Sequence, residues 1–293
     1  MMAEYGSKEW FEFMFESANQ GYDKWGHQWR GSQRFRYRLY KKIIDSLPTM
    51  ENSIIIDIGC GMGDFTDVIK KNYPNASVLG MDISRYAIHY AAKKYSDITF
   101  FMGSLPDIPI RSNSCKFISC LESLYYLKDK ERKKSLEQIE LILQDGGIFL
   151  FSGVLDDGSR YFKKSKIIED ISFFFNIISL NFNYSKLYVT FEKRLLNVIS
   201  YLDIVNSHIN KEKTEEIAQC PIIFQKIISF IHFIPYGVHI MNRLTFLLKK
   251  IIMVMLSWEF PVKICYNLTR IFLGERGKTQ IIILARKKEK IGP

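Results

Sequence analysis

A chain of 293 residues, 47% of them hydrophobic, holds material for one large α/β domain or for a catalytic core plus an elaboration. Its formal net charge of +10 would attract polyanions such as nucleic acid or anionic lipid, and suits a solvated basic surface equally well. The five cysteines, Cys60, Cys115, Cys120, Cys220 and Cys265, include no Cys-x-x-Cys pair and lie near no histidine cluster, which argues against a metal site or a disulfide framework and for a reducing, cytoplasmic setting.

Met1 to Trp10 lack the basic and apolar segments of a secretory leader. Residues 8–47 carry interleaved aromatic and basic residues with helical spacing, broken near Gly21 to Gly31 and closed by Pro48. Ser53 to Ile58 is a β-branched run that reads as a buried parallel strand. It ends in Gly59-Cys60-Gly61-Met62-Gly63, and a helical pattern follows from Asp64 to Lys71. Ala76 to Met81 predicts a second strand ending at Asp82, and Ser84 caps a helix to about Lys94. Ile98–Met102, Lys116–Leu121 and Ile148–Ser152 predict three more strands, with a helix over Asp129 to Leu143. Lys163 to Phe175 reads as a helix, Lys186 to Phe191 as a strand, and residues 195–274 as mostly apolar and helical. A last strand is expected at Thr279 to Ala285. Strands alternating with helices predict an α/β fold with a doubly wound sheet.

A strand that ends in an acidic residue and a glycine turn brings backbone close to a ligand at the carboxyl edge of the sheet. The string here is Gly-x-Gly-x-Gly, with Asp57 two residues before the first glycine, unlike the Gly-x-Gly-x-x-Gly of nicotinamide or flavin sites. Ile54 to Gly63 resembles motif I of the class I S-adenosylmethionine-dependent methyltransferases, and Asp82 matches the acidic residue that bonds the ribose hydroxyls in that family. The resemblance covers about residues 20–155 and the terminal strand. It implies a seven-stranded mixed sheet whose last strand runs antiparallel between the fifth and sixth, with S-adenosyl-L-methionine as cofactor. It further implies that Gly59, Cys60 and Gly61 line the methionine moiety, while Asp57 holds the loop and reaches the amino group. Ser104 and Leu105 fall at the adenine, where the family usually has an acidic residue; Asp107 stands nearby. Ile83 and Leu121 complete the expected cofactor contacts.

Ser119 to Leu127 (Ser-Cys-Leu-Glu-Ser-Leu-Tyr-Tyr-Leu) resembles a segment of the small N-methyltransferases that modify chitin-oligosaccharide nodulation signals, and Asp23 to Gly26 with Ser32, Phe35 and Arg36 resembles their lid. Nucleic acid is disfavoured as substrate. The Asn/Asp-Pro-Pro-Tyr/Phe string of amino-methylating nucleic-acid enzymes is missing after the fourth strand, and Cys120 lies within it rather than in a Pro-Cys motif. Glu122 is the candidate for orienting or deprotonating the acceptor, with a solvent-facing carboxylate as the alternative; Tyr125 is the candidate pocket wall and His27 a candidate base in the lid.

The expected organisation is an N-terminal helical lid (1–47), the cofactor-binding core (48–192), a helical apolar insertion (193–274), and a last strand with a basic tail (275–293). Between Pro221 and Leu273 stand six basic residues (Lys226, Arg243, Lys249, Lys250, Lys263, Arg270) and one acidic residue, Glu259. The longest apolar run, Ile251 to Trp258, is far short of the roughly 18 residues a spanning helix needs. The insertion therefore reads either as a basic interfacial segment peripheral on an anionic membrane face or as a lid over an apolar pocket. The expected activity is methyl transfer to N or O of a small molecule, such as a sugar or lipid-linked glycan. A quinone or sterol-like acceptor, or a non-catalytic binding protein on the same fold, are the alternatives.

Overall fold

The computed structural model describes residues 3–19, 26, 29–209 and 237–289. Two helices, α1 (Lys8–Asn19) and α2 (Gly31–Ile44), precede an alternating core. That core runs β1 (Ile54–Ile58), α3 (Asp64–Asn72), β2 (Ser77–Asp82), α4 (Arg85–Lys94), β3 (Thr99–Met102), β4 (Cys115–Leu121), a short 3-10 turn (Leu124–Tyr126), α5 (Asp129–Ile142), β5 (Leu143–Val154), α6 (Lys164–Phe174) and β6 (Phe175–Asn183). The long α7 (Lys186–Ile209) follows, then α8 (Gly237–Ser257), α9 (Glu259–Leu273) and β7 (Gln280–Lys287).

The seven strands are ordered β3-β2-β1-β4-β5-β7-β6. The first five pair in parallel, while β7 inserts antiparallel between β5 and β6, pairing Phe151 with Ile283 on one side and Leu180 with Ile283 on the other. β1 is isoleucine at every position but Asp57 because both faces of the sheet are covered. Ile56 and Ile58 pack with Ile118, Phe149 and Phe151 against α5 and α6, through Leu136, Ile139, Ile167 and Ile171. Ile55, just before Ile56, turns to the other face with Phe117 and Leu150, against Tyr40 and Ile44 of α2 and Phe65 and Ile69 of α3. Two-sided burial makes β-branched residues favourable at every position rather than at alternate ones.

One element differs from expectation. Residues 186–191, predicted as a strand, are the first turns of α7, and the sixth strand is Phe175–Asn183. Short apolar runs do not distinguish strand from helix, and here tertiary packing decides. Tyr188 is buried beside Phe35 of α2 and Val262 of α9, and Glu192 accepts from Arg30 (Nε 3.1 Å, Nη2 2.5 Å) and from Ser32 Oγ (2.6 Å). A helix presents 188 and 192 on one face, as these contacts require.

The C-terminal helices are fixed to the core rather than appended to it. α8 and α9 pack on both α7 and α2. A Cβ at Gly31, the first residue of α2, would overlap the carbonyl of Trp258 at the α8–α9 junction, so glycine permits this approach. Glu259 pairs with Arg34 and Arg38 of α2, and Lys249 of α8 with Asp203 of α7. Among the described residues no helix is long and apolar enough to cross a membrane.

Candidate active site

The site begins at the carboxyl edge of β1, where parallel strands leave a crevice. Asp57 lies beside Ser119 of β4 in the sheet register. It is buried, with Oδ1 accepting from Ser119 Oγ (2.7 Å) and Oδ2 from Thr66 Oγ1 of α3 (2.8 Å). Burial pushes its carboxyl up to about 6, although both hydroxyls act in the opposite sense. Asp57 thus fastens strand and helix on either side of the glycine turn.

The turn itself runs through Gly59, Gly61 and Gly63, with φ of 73°, 53° and 81°. Such left-handed positions strain any residue with a Cβ. At Gly59 an added Cβ would also overlap Ser123 Oγ. At Gly61 it would meet only the rim of Phe15, at 3.5 Å, so the space above the loop is one that a side chain would fill. The backbone N–H groups of Gly59 and Cys60 bond Met81 O, at 2.7 and 3.0 Å, and hold the turn against the end of β2.

Asp82 closes that edge. Its Oδ2 accepts from Gly61 N and its Oδ1 from Ser84 N, both at 2.9 Å, tying the glycine loop to the start of α4. Burial raises its carboxyl to about 6, against the pull of the backbone donors at Ser84, Gly61 and Ile83. A carboxylate has about four acceptor positions, so these backbone bonds leave capacity for a ligand hydroxyl. The residues present therefore fit S-adenosylmethionine on its ribose and methionine sides. Ile83 is half-buried next to Asp82, and Leu105 packs against the core. Ser104 and Asp107 are exposed and form a single antiparallel bridge, so the loop after β3 brings both expected adenine-side residues together.

Helix α1 lies over this edge, a contribution that the sequence did not assign to particular residues. Glu12 accepts from Ser84 Oγ (3.0 Å) and from the N–H groups of Arg85 (3.0 Å) and Tyr86 (3.3 Å), satisfying the open N-terminus of α4. Phe15 is buried with Met62 and Ala87.

Glu122, the residue expected to face the acceptor, lies past the end of β4. Its φ of 57° is left-handed; of the three non-glycine residues with positive φ among those described, the other two are asparagines. Such a backbone costs on the order of 1–3 kcal/mol and persists only when its surroundings hold it. Here Glu122 N donates to Ser152 O (2.9 Å), while Oε1 accepts from Ser152 Oγ (2.8 Å), Gln280 Nε2 and Tyr40 OH (3.4 Å). Arg36 Nη1 stands 3.6 Å from Oε2. The solvent-facing alternative for Glu122 is thereby corrected: the carboxylate turns inward because donors from α2, β5 and β7 converge on it. Burial opposes the Arg36 charge, but Glu122 and the neighbouring phenols outweigh it and raise its basicity. Its Nε has no partner among the described residues.

Tyr125 is half-buried among Tyr126, Tyr161 and Phe162, at ring-centroid distances of 4.6, 5.1 and 6.2 Å. Burial and the nearby Glu122 hold its phenol well above the usual range, so it stays a donor. Leu121, half-buried, packs against the core cluster beneath α2 and α3. Burial also pushes the thiols of Cys60 and Cys120 upward, which disfavours thiolate chemistry at either. His27 lies outside the described residues.

Known proteins carry the same frame. Residues 55–147 match the family model described as Methyltransferase domain. The chain is 32% identical over 65 residues to the trans-aconitate 2-methyltransferase of Afipia carboxidovorans, covering 22% of this chain and 25% of that one. It is 24% identical over 145 residues to the demethylmenaquinone methyltransferase of Staphylococcus carnosus, covering 48% and 58%. The chain thus spans from a quarter to under two thirds of the length of these curated relatives. Among solved structures, the N-methyltransferase NodS of Bradyrhizobium japonicum WM9 in complex with S-adenosyl-L-homocysteine is similar with a TM-score of 0.50 and 20% identity, covering 59% of this chain and 89% of that one. That likeness concerns the fold. With the matched domain, the seven-stranded topology and the acidic–glycine turn in place, the core of this chain, residues 55–147, is similar to the methyltransferase domain and has the fold of the class I S-adenosylmethionine-dependent methyltransferases.

Proposed function

We propose that the protein transfers a methyl group from S-adenosylmethionine to a nitrogen or oxygen of a small molecule, such as a sugar or lipid-linked glycan. The observation that carries the reading is Asp82, which joins the glycine loop to α4 through both oxygens and keeps acceptor capacity for a ribose. When bound, the cofactor supplies the electrophilic methyl carbon. Asp82 would hold the ribose hydroxyls, and Gly59 to Gly61 would admit the methionine moiety against bare backbone. Phe15 and the aromatic group of Phe11, Trp10 and Tyr126 would exclude water from the donor side. Glu122 and Tyr125 would orient the acceptor, and alignment of this kind is worth about 7–11 kcal/mol in favourable cases.

Titration calorimetry with S-adenosylmethionine tests the cofactor half: no heat of binding at millimolar ligand would return the chain to a binding protein of degenerate site. Transfer of a labelled methyl group into small-molecule extracts tests the other half. Label recovered only in a quinone fraction would favour the quinone reading, which the Staphylococcus carnosus relative supports by name.

A further inference from the structure

Helices α8 and α9 each present two opposite faces of different character. At about 100° per residue, Thr245, Ile252 and Leu256 of α8 share one face, and all three are buried; Lys249, on the same face, bonds Asp203 at 2.6 Å. Ile240, Leu244, Leu247, Ile251 and Val254 lie within an arc of roughly 80° on the opposite face, and every one is exposed. The stripe continues into Trp258 at the junction, which is 59% exposed. In α9, Phe260, Ile264, Leu268 and Ile271 fall within a second arc of roughly 80°, with Phe260 and Ile271 each 72% exposed. Scattered exposed apolar residues need no explanation, but two aligned stripes on consecutive helices do.

Charge is arranged around these stripes. Arg243 and Lys250 lie on one shoulder of the α8 stripe, and Lys263 and Arg270 on the same shoulder of the α9 stripe. None of the four has an ion-pair partner among the described residues. The acidic residue of these two helices, Glu259, is turned away, toward Arg34 and Arg38. The exposed side is therefore apolar and cationic at once.

We propose that α8 and α9 form an interfacial platform that docks the protein on an anionic lipid bilayer. Helices with an apolar stripe and cations beside it lie in the headgroup region rather than span it, and neither helix is long and apolar enough to cross. The platform is rigidly tied to the core through Gly31, Trp258 and the Glu259 pairs, so docking orients the whole molecule. It also adjoins the acceptor side through α2. Arg34 and Arg38 meet Glu259 from one face of that helix, while Arg36 and Tyr40 meet Glu122 from the other. The inference does not depend on the chemistry proposed above.

The test is co-sedimentation of the full chain with vesicles of phosphatidylcholine alone or with about one quarter phosphatidylglycerol. Wild type should pellet with the anionic vesicles at low salt, and less with neutral vesicles or at high salt. Each cation near the surface contributes roughly fivefold in partitioning, so Arg243→Glu with Lys250→Glu should weaken anionic binding by at least about 25-fold. Leu247→Asp with Ile251→Asp should abolish binding while leaving the melting temperature and cofactor titration unchanged, because both side chains are exposed. Brominated acyl chains should quench the protein's tryptophan fluorescence in wild type, and much less in Trp258→Phe, where only the other tryptophans emit. Protein that stays in the supernatant with anionic vesicles overturns the proposal. Light scattering would then assign the stripes to a second copy if Leu247→Asp with Ile251→Asp breaks a dimer. Vesicle binding unaffected by the double aspartate variant overturns it equally.

Discussion

Asp82 holds the loop through two backbone bonds and has capacity left for a ligand, so its removal acts on the cofactor more than on the fold. A charged hydrogen bond contributes about 1.5–3 kcal/mol, and Asp82→Ala should weaken S-adenosylhomocysteine binding by roughly 10- to 150-fold in calorimetry. Gly61→Val should do the same by filling the space below Phe15; unchanged affinity in both would overturn the assignment. The pH dependence follows from the raised carboxyl, at about 6 for Asp82. The folded state keeps this proton to higher pH than an unfolded aspartate. Its contribution to stability is therefore full below about 4 and is lost as pH rises through about 6. Ligand binding runs the other way, since the ionised form accepts hydroxyls. Affinity should fall as pH drops below about 6, and Asp82→Asn should flatten most of that slope. Glu122 offers a separate test. Its oxygens are held by groups from three elements, and Glu122→Gln should lower the melting temperature by roughly 3–10 °C with cofactor affinity unchanged. Turnover reduced by about 10²–10⁴ without any change in melting would instead identify a general base.

Among the elements, α1 and α2 do more than cover the core. Glu12 satisfies three donors at the start of α4, beside Asp82. Loss of a helix cap costs about 0.5–2 kcal/mol, so Glu12→Ala should free α1 from the cofactor edge. Faster amide exchange over residues 8–19 and a several-fold weaker cofactor titration are the expected readings. An exchange pattern identical to wild type would mean that the aromatic contacts alone hold α1. That these segments are helical was legible from their spacing, but what they touch was not. Tyr40 reaches Ser152 and Gln280, far along the chain, and no local pattern encodes such a meeting. The strand misread at residues 186–191 has the same origin: the segment's apolar content suits both states, and burial of Tyr188 against α2 and α9 selects the helix.

At the scale of the molecule, β7 is the piece on which closure depends. Ile281, Ile282 and Ile283 are fully buried, and burying an isoleucine is worth about 1.5–3 kcal/mol. Three of them together contribute about 5–9 kcal/mol, comparable with the whole stability of a typical domain. Ending the chain before Gln280 should leave β5 and β6 with open edges and yield insoluble protein, whereas ending it after Lys288 should leave the circular dichroism spectrum intact. The sequence by itself determined the alternating core, the glycine turn and the antiparallel last strand implied by the resemblance, because backbone sterics and two-sided burial restrict which residues can stand there. Tertiary structure alone decided that Glu122 faces inward, that Lys249 turns to Asp203 while Arg243 and Lys250 stay at the surface, and that α2 stands between Glu259 of the C-terminal helices and Glu122. Those outcomes depend on contacts between residues distant in the chain, whose geometry exists only once the sheet has closed.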